Sequence, residues 1–265
     1  MSTQANNILI IGAGQAAATV ALGLRRSGFS GGITMVGDEA HPPYERPQLS
    51  KELLISDARP TRFIKSREEY DAQSITLFLG RKAVRTDLKN QTVELDNQQI
   101  LPFGKLVIAT GVRAKPLPLP LSSDQRTCSL RTIEDAQRLQ HHIAEKKSLV
   151  IIGGGVIGLE VAAAAAARGC KTTVIEAAST LMSRSIDATA SNFLLRSHVA
   201  NGIDIYLSTT VSHVEANGAL VLSNGKSLDA DLILGGIGVV PNSEAFEGLG
   251  LTDEFGISVD ANGCT

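Results

Sequence analysis

Two glycine-rich triplets of equal spacing are the residues in this chain best suited to chemistry. Gly12, Gly14 and Ala17 form the first, and Gly153, Gly155 and Gly158 the second. Each follows four consecutive aliphatic residues, 8–11 and 149–152. In such a loop the first glycine permits a tight turn, and the second lets the backbone approach a pyrophosphate. The third position brings the following helix close to the strand, and alanine is an accepted variant there. The helix N-terminus offers N–H groups and its positive dipole end to phosphates. An acid stands past the next apolar run in both copies, Asp38 and Glu176. An acid at that place accepts hydrogen bonds from an adenosine ribose. Asp38 has a second reading, a turn aspartate after Gly37. One such loop is a weak signal, but two complete copies imply two dinucleotides bound by one chain. Glu176 has no lysine or arginine at 177–179, so its charge favours a free 2′-hydroxyl over a 2′-phosphate, and NADH over NADPH.

Other reactive side chains are sparse. The loop 41–51 carries three prolines, Arg46 and Lys51, so its charges sit on a stiff element. Ser50 is the expected N-cap of a short helix over 51–55. Cys128, Cys170 and Cys264 form no C-x-x-C or C-x-x-x-x-C pair, which argues against a redox dithiol, a disulfide scaffold and a zinc site. His141 and His142 are adjacent and would point about 100° apart on a helix, unlike i, i+4 metal ligands. No metal is expected. With 43% hydrophobic and 20% charged residues the 265-residue chain has an ordinary globular composition. A net charge of −2 gives no reason to expect nucleic acid or an anionic membrane. No apolar run reaches membrane-spanning length, and the polar opening residues do not read as a signal peptide. The expectation is a cytoplasmic protein.

The elements that must position these residues follow from periodicity. Strand 7–11, helix 15–27 and strand 33–36 make the first unit. Residues 75–101 read as short antiparallel strands with turns at 89–90 and 96–97. A buried parallel strand ends at Thr110 and Gly111. Alternating prolines at 116, 118 and 120 mark a crossover. Helix 132–146 leads to the second loop, followed by helix 156–168, strand 172–175, helix 187–201 and hairpins over 203–228. A buried strand in the segment from Asp231 to Asn242 then returns the chain. The predicted class is α/β, with two Rossmann-like dinucleotide-binding domains, one inserted into the other. The predicted boundaries are 1–118 and 242–265 for the outer domain and 119–241 for the inserted one.

With both loops, Thr110-Gly111 and Gly236-Ile237-Gly238 ahead of Pro241-Asn242, the chain resembles FAD-dependent oxidoreductases of the pyridine nucleotide-disulfide superfamily. The segment Pro43-Tyr44, Arg46-Pro47, Leu49-Ser50-Lys51 narrows the resemblance. It is similar to the ferredoxin reductase subunits of bacterial aromatic-ring dioxygenase systems of the phenylpropionate/cinnamate type. That resemblance implies FAD in the outer domain and NAD in the inserted one. It further implies single-electron delivery to a Rieske-type [2Fe–2S] ferredoxin that feeds a ring-hydroxylating dioxygenase. By position it implies that Gly12, Ala13, Gly14, Gln15, Ala16, Ala17 and Asp38 contact the FAD pyrophosphate and ribose. Lys51 matches a flavin-proximal lysine, Ala83 or Val84 a backbone contact to adenine, and Arg131 a further FAD contact. Thr110 and Gly111 belong to the same site. Gly153, Gly155, Val156, Ile157, Gly158 and Glu176 match the NADH site, with Arg184 near its adenine ribose and Gly238 on its returning strand. Glu160 matches an acid aimed at the nicotinamide, and an ion pair between Lys51 and Glu160 is expected beside the reacting ring.

Against that family the sequence ends at Thr265, ahead of a second FAD motif and of a C-terminal domain. The expectation is therefore a chain matching the N-terminal two-thirds of a reductase, with the inserted domain binding NADH, FAD held poorly or not at all, and electron transfer to the ferredoxin failing. Two other readings stay open. One is an NADH oxidase, peroxidase or quinone reductase of the same superfamily, although the peroxidase type needs a cysteine near 41–46 and none is there. The other is a nucleotide-binding remnant without turnover.

Overall fold

A computed structural model describes residues 6–56, 60–119, 126–145 and 147–265. In chain order it opens with β1 (Asn7–Ile11), α1 (Gln15–Arg26), β2 (Gly32–Gly37), a 3-10 turn at Arg46–Leu49, α2 (Glu52–Ile55) and α3 (Arg67–Ala72). Six strands follow: β3 (Ile75–Leu79), β4 (Ala83–Asp87), β5 (Thr92–Leu95), β6 (Ile100–Pro102), β7 (Lys105–Ile108) and β8 (Val112–Ala114). Next come β9 (Thr127–Cys128), α4 (Ile133–Ala144), β10 (Leu149–Ile152), α5 (Val156–Ala167), β11 (Thr172–Ile175), α6 (Ala188–Ala200) and β12 (Asp204–Tyr206). The chain closes with β13 (Val211–Val214), β14 (Leu220–Leu222), β15 (Ser227–Leu228), β16 (Leu232–Gly235), β17 (Val239–Pro241), β18 (Thr252–Asp253) and β19 (Gly256–Ile257).

The chain divides into two compact units. The first comprises Met1–Glu45, Arg62–Arg113 and Val240–Thr265, and the second Arg46–Thr61 and Ala114–Val239. The first unit is built on a parallel sheet of order β3-β2-β1-β7. Alternate residues of β1 go to opposite faces, as a pleated strand requires. Ile8 and Ile10 pack with Ala17, Ala18, Ala21 and Leu22 of α1. Leu9 and Ile11 pack on the other face with Ala83, Val93, Leu95, Leu101, Phe103 and Phe246. A strand buried on both faces has no use for polar positions, which is why the run is unbroken.

Ile75–Leu79 departs from expectation. It is the parallel edge strand of this sheet, paired with β2, and within 75–101 the antiparallel strands are β4, β5 and β6. Alternation marks a strand but not its direction. The direction here is set by the crossover through α3, a helix begun by a capping box in which Ser66 and Glu69 exchange side-chain and backbone bonds.

The second unit repeats the plan with the parallel order β12-β11-β10-β16-β9. Here too a strand read as part of a hairpin, Asp204–Tyr206, is a parallel edge strand reached through α6, and only β13-β14-β15 are antiparallel. Residues 46–61 join this unit because α2 packs against α4 and α5. The carbonyls at the end of α2 are taken up by distant side chains. Gln140 Nε2 donates to Leu53 and Ser56, and Arg168 Nη1 donates to Leu54. Ser50 is not the N-cap of α2. Lys51 occupies that position without a side-chain cap bond, and the Ser50 hydroxyl is used elsewhere. Part of the proline-marked crossover, 120–125, lies outside the described residues.

Candidate functional site

The two glycine loops sit at the point where strand order reverses in each sheet, between β1 and β7 and between β10 and β16. In open parallel sheets this is where ligands bind, outside the carboxyl ends of the strands. The duplication extends to individual bonds. Gly12 N–H donates to Val36 C=O at 2.7 Å, and Gly153 N–H to Ile175 C=O at 2.8 Å. Ala109 N–H donates to Ile11 C=O, and Gly236 N–H to Ile152 C=O. Gly12 and Gly153 have φ of 122° and 115°, and a Cβ on either would strike the carbonyl of Ala109 or Gly236. Only glycine meets both demands. At the third position the copies differ. Ala17 is accommodated fully buried, whereas a Cβ at Gly158 would collide with the Gly153 carbonyl.

What the loops leave open can be read from the helices. The long helices α4 and α6 are capped by side chains, Thr132 and Asp187. The helices after the glycine loops, α1 and α5, have glycine N-caps, no side-chain cap and no acid in the first turn. Their first intrahelical bonds run from Ala18 to Gly14 and from Leu159 to Gly155, so the preceding N–H groups have no carbonyl partner within the helix. A Cβ at Gly14 or Gly155 would meet no protein atom within 4 Å. An open cradle beside first-turn N–H groups, with no acid in the helix's own first turn, fits a diphosphate.

In the second unit this cradle opens into a cavity of about 590 Å³. Gly153, Gly155, Val156, Glu176, Arg184 and Gly238 all line it. Ile157 and Gly158 lie in the first turn of α5, Ile157 exposed and Gly158 buried. Glu176 is held in place by two backbone donors: Gly154 N–H reaches Oε2 at 2.6 Å, and Ala178 N–H reaches Oε1 at 2.7 Å. A carboxylate has about four acceptor positions, so each oxygen keeps capacity for a ligand hydroxyl. Gly154, inside the second loop, orients the acid through its N–H, and a Cβ there would press on Glu176 and Leu181.

In the first unit Ala13, Gly14, Gln15 and Ala16 follow β1 at the helix entry, and Asp38 is exposed just beyond β2. Ala83 is buried with Ile11 and Val36, and Val84 is exposed at a register shift between β4 and β5. Thr110 and Gly111 are tied to the returning chain. Asn242 Nδ2 donates to Thr110 C=O, and Asn242 N–H to Gly111 C=O. Arg113 in turn bonds Asn242, Pro241 and Glu244.

Lys51, Glu160 and Arg131 all lie in the second unit. Lys51 Nζ is 3.3 Å from Glu160 Oε1, so the expected ion pair is present. The Ser50 hydroxyl donates to the other oxygen, Oε2, at 2.5 Å. Arg131 precedes Thr132, the N-cap of α4: its carbonyl accepts from Arg46 Nη1, and its N–H donates to Asp135.

A family model described as pyridine nucleotide-disulphide oxidoreductase matches residues 6–265. The ferredoxin–NAD(+) reductase component of the p-cumate 2,3-dioxygenase system of Pseudomonas putida is 51% identical over 261 residues, covering 98% of this chain and 65% of that protein. Rhodocoxin reductase of Rhodococcus erythropolis is 41% identical, with 96% of this chain and 61% of that protein covered. Among solved structures, the ferredoxin reductase for the CYP199A2 system of Rhodopseudomonas palustris superposes with a TM-score of 0.92 at 35% identity, over 96% of this chain and 64% of that one. The reductase of the covalent putidaredoxin reductase–putidaredoxin complex gives 0.87 at 34% identity, over 96% and 62%. The chain thus spans a little under two thirds of the length of these relatives.

Proposed function

The chain belongs to the pyridine nucleotide-disulphide oxidoreductases, a family that implies a flavin and a pyridine nucleotide, and on that premise we propose a ferredoxin reductase. FAD binds the first unit through residues 12–17, Asp38, Ala83, Val84, Thr110 and Gly111. NADH binds the second through Gly153, Gly155–Gly158, Glu176, Arg184 and Gly238. Electrons pass to a [2Fe–2S] ferredoxin serving a ring-hydroxylating dioxygenase. The observation that carries this reading is the duplication of the glycine loop, with two matched backbone bonds, a helix without a side-chain cap and an acid at the next strand end in each copy. The relatives named above support the choice of acceptor.

Bound flavin supplies the conversion of a two-electron donor into single electrons. The protein's own part is position and charge. The first-turn N–H groups of α1 and α5 hold the two diphosphates, and Glu176 selects the ribose. Glu160 presents a fixed carboxylate to the nicotinamide end, where loss of hydride leaves a positive ring, and a preorganised opposite charge lowers the cost of that change. Lys51 sets a cation 3.3 Å from the Glu160 carboxylate.

The test is to supply the purified chain with FAD, NADH and a [2Fe–2S] ferredoxin and follow cytochrome c reduction. Reduction that requires all three supports the proposal. NADH oxidation with oxygen as the only acceptor would overturn the choice of ferredoxin and favour an oxidase.

A further inference from the structure

Consecutive residues of the 46–56 segment take the two oxygens of one carboxylate: Ser50 takes Oε2 of Glu160, and Lys51 takes Oε1. Neighbouring side chains on a strand point to opposite faces. Here the Lys51 backbone, at φ −115° and ψ −101°, is neither strand nor helix, and both side chains reach the same acid. The two contacts differ in kind. Lys51 is 52% exposed along its side chain, and an exposed ammonium–carboxylate pair fixes geometry weakly because solvent screens it and a long chain must be ordered. Ser50 is 6% exposed, short, and donates a charge-assisted hydrogen bond. Its backbone is anchored as well, because α2 directly after it is pinned by Gln140 and Arg168.

We infer that Ser50 is the positioning residue for Glu160, fixing the direction of the carboxylate toward the nicotinamide end while Lys51 supplies charge. This rests on the reading of Glu160 given above. Sequence alone suggested a helix cap for Ser50; the hydroxyl instead bonds a residue on α5.

NAD+ and ADP-ribose separate this role from general folding, because ADP-ribose has the diphosphate and adenosine but no nicotinamide. Calorimetric titration of both into the full chain, into Ser50→Ala, into Glu160→Ala and into the double variant tests the inference. ADP-ribose is expected to bind all four equally. Ser50→Ala is expected to weaken NAD+ about tenfold, the lower end for one hydrogen bond to a charged group. In the Glu160→Ala background the same change is expected to cost nothing, since a residue acting only through its partner shows full coupling in such a cycle. NAD+ affinity unchanged in Ser50→Ala, an equal loss for ADP-ribose, or a repeated loss without Glu160 would each overturn the inference and leave the nucleotide site standing. Failure of the unaltered chain to bind either nucleotide would overturn the nucleotide reading itself.

Discussion

Replacing Glu176 by glutamine removes one charge from the wall of the second-unit cavity and keeps the side-chain volume. In the parent, both oxygens accept backbone N–H groups, from Gly154 at 2.6 Å and Ala178 at 2.7 Å, so the carboxylate cannot swing away from a ligand. A 2′-phosphate carries roughly −1.5 to −2 charges. At about 5 Å and an effective dielectric near 40, each charge meets a repulsion of about 1.7 kcal/mol. Ionic screening and Arg184 on the same cavity reduce that sum. A net preference for NAD+ over NADP+ of about 2–3 kcal/mol, or roughly 30- to 150-fold, is expected. Glutamine offers one acceptor oxygen for two N–H donors and no charge, so NAD+ should weaken while NADP+ gains, narrowing the ratio at least about tenfold. Calorimetry with both nucleotides at two salt concentrations measures this, and the preference of the parent should shrink as salt rises. Equal affinities in the parent, or a ratio unmoved by Glu176→Gln, would refute the reasoning.

Three further outcomes follow from the same geometry. Gly153→Ala, at φ 115° and against the Gly236 carbonyl, should destabilise the second unit by about 2–4 kcal/mol in urea unfolding, and a smaller loss would mean the loop relaxes. Asp231 is held below its usual range, first by the Ser148 hydroxyl and then by the Ser148 N–H. A depressed folded value gives stability that is present above the unfolded value of 3.8 and is lost as pH falls through the folded one. Asp231→Asn should therefore flatten the acid limb of a stability–pH profile and leave its shape near neutrality unchanged. Burial pushes the Cys128 thiol up to about 12 and raises Cys170 also, whereas Cys264 is exposed. Iodoacetamide at neutral pH should then label Cys264 first and the other two only on unfolding, as peptide mapping would reveal.

Both glycine loops and the strands that feed them were legible because a strand buried on two faces must be aliphatic throughout and the turn after it admits only glycine. The acids at the strand ends were legible for the same reason, since their place is fixed by the length of the strand. Strand direction was not. Ile75–Leu79 and Asp204–Tyr206 alternate as hairpin arms would, and only the crossovers through α3 and α6 make them parallel edges. The α3 crossover did leave a trace, the Ser66-x-x-Glu69 capping box. The role of Ser50 left none, because its partner Glu160 lies far along the chain and a serine before a short helix reads locally as a cap. The membership of residues 46–61 in the second unit was hidden likewise: Gln140 and Arg168 look like ordinary surface polar residues until their donors are seen on the carbonyls of α2.

The central claim is that one chain holds a flavin at its first loop and takes electrons from NADH held at its second. Anaerobic addition of NADH to the chain supplied with FAD, followed at the flavin absorption band, tests it most directly. The account predicts that the band is lost with one NADH consumed per flavin, and that Glu160→Ala slows the loss. A flavin that binds but stays oxidised while NADH is also bound would contradict it.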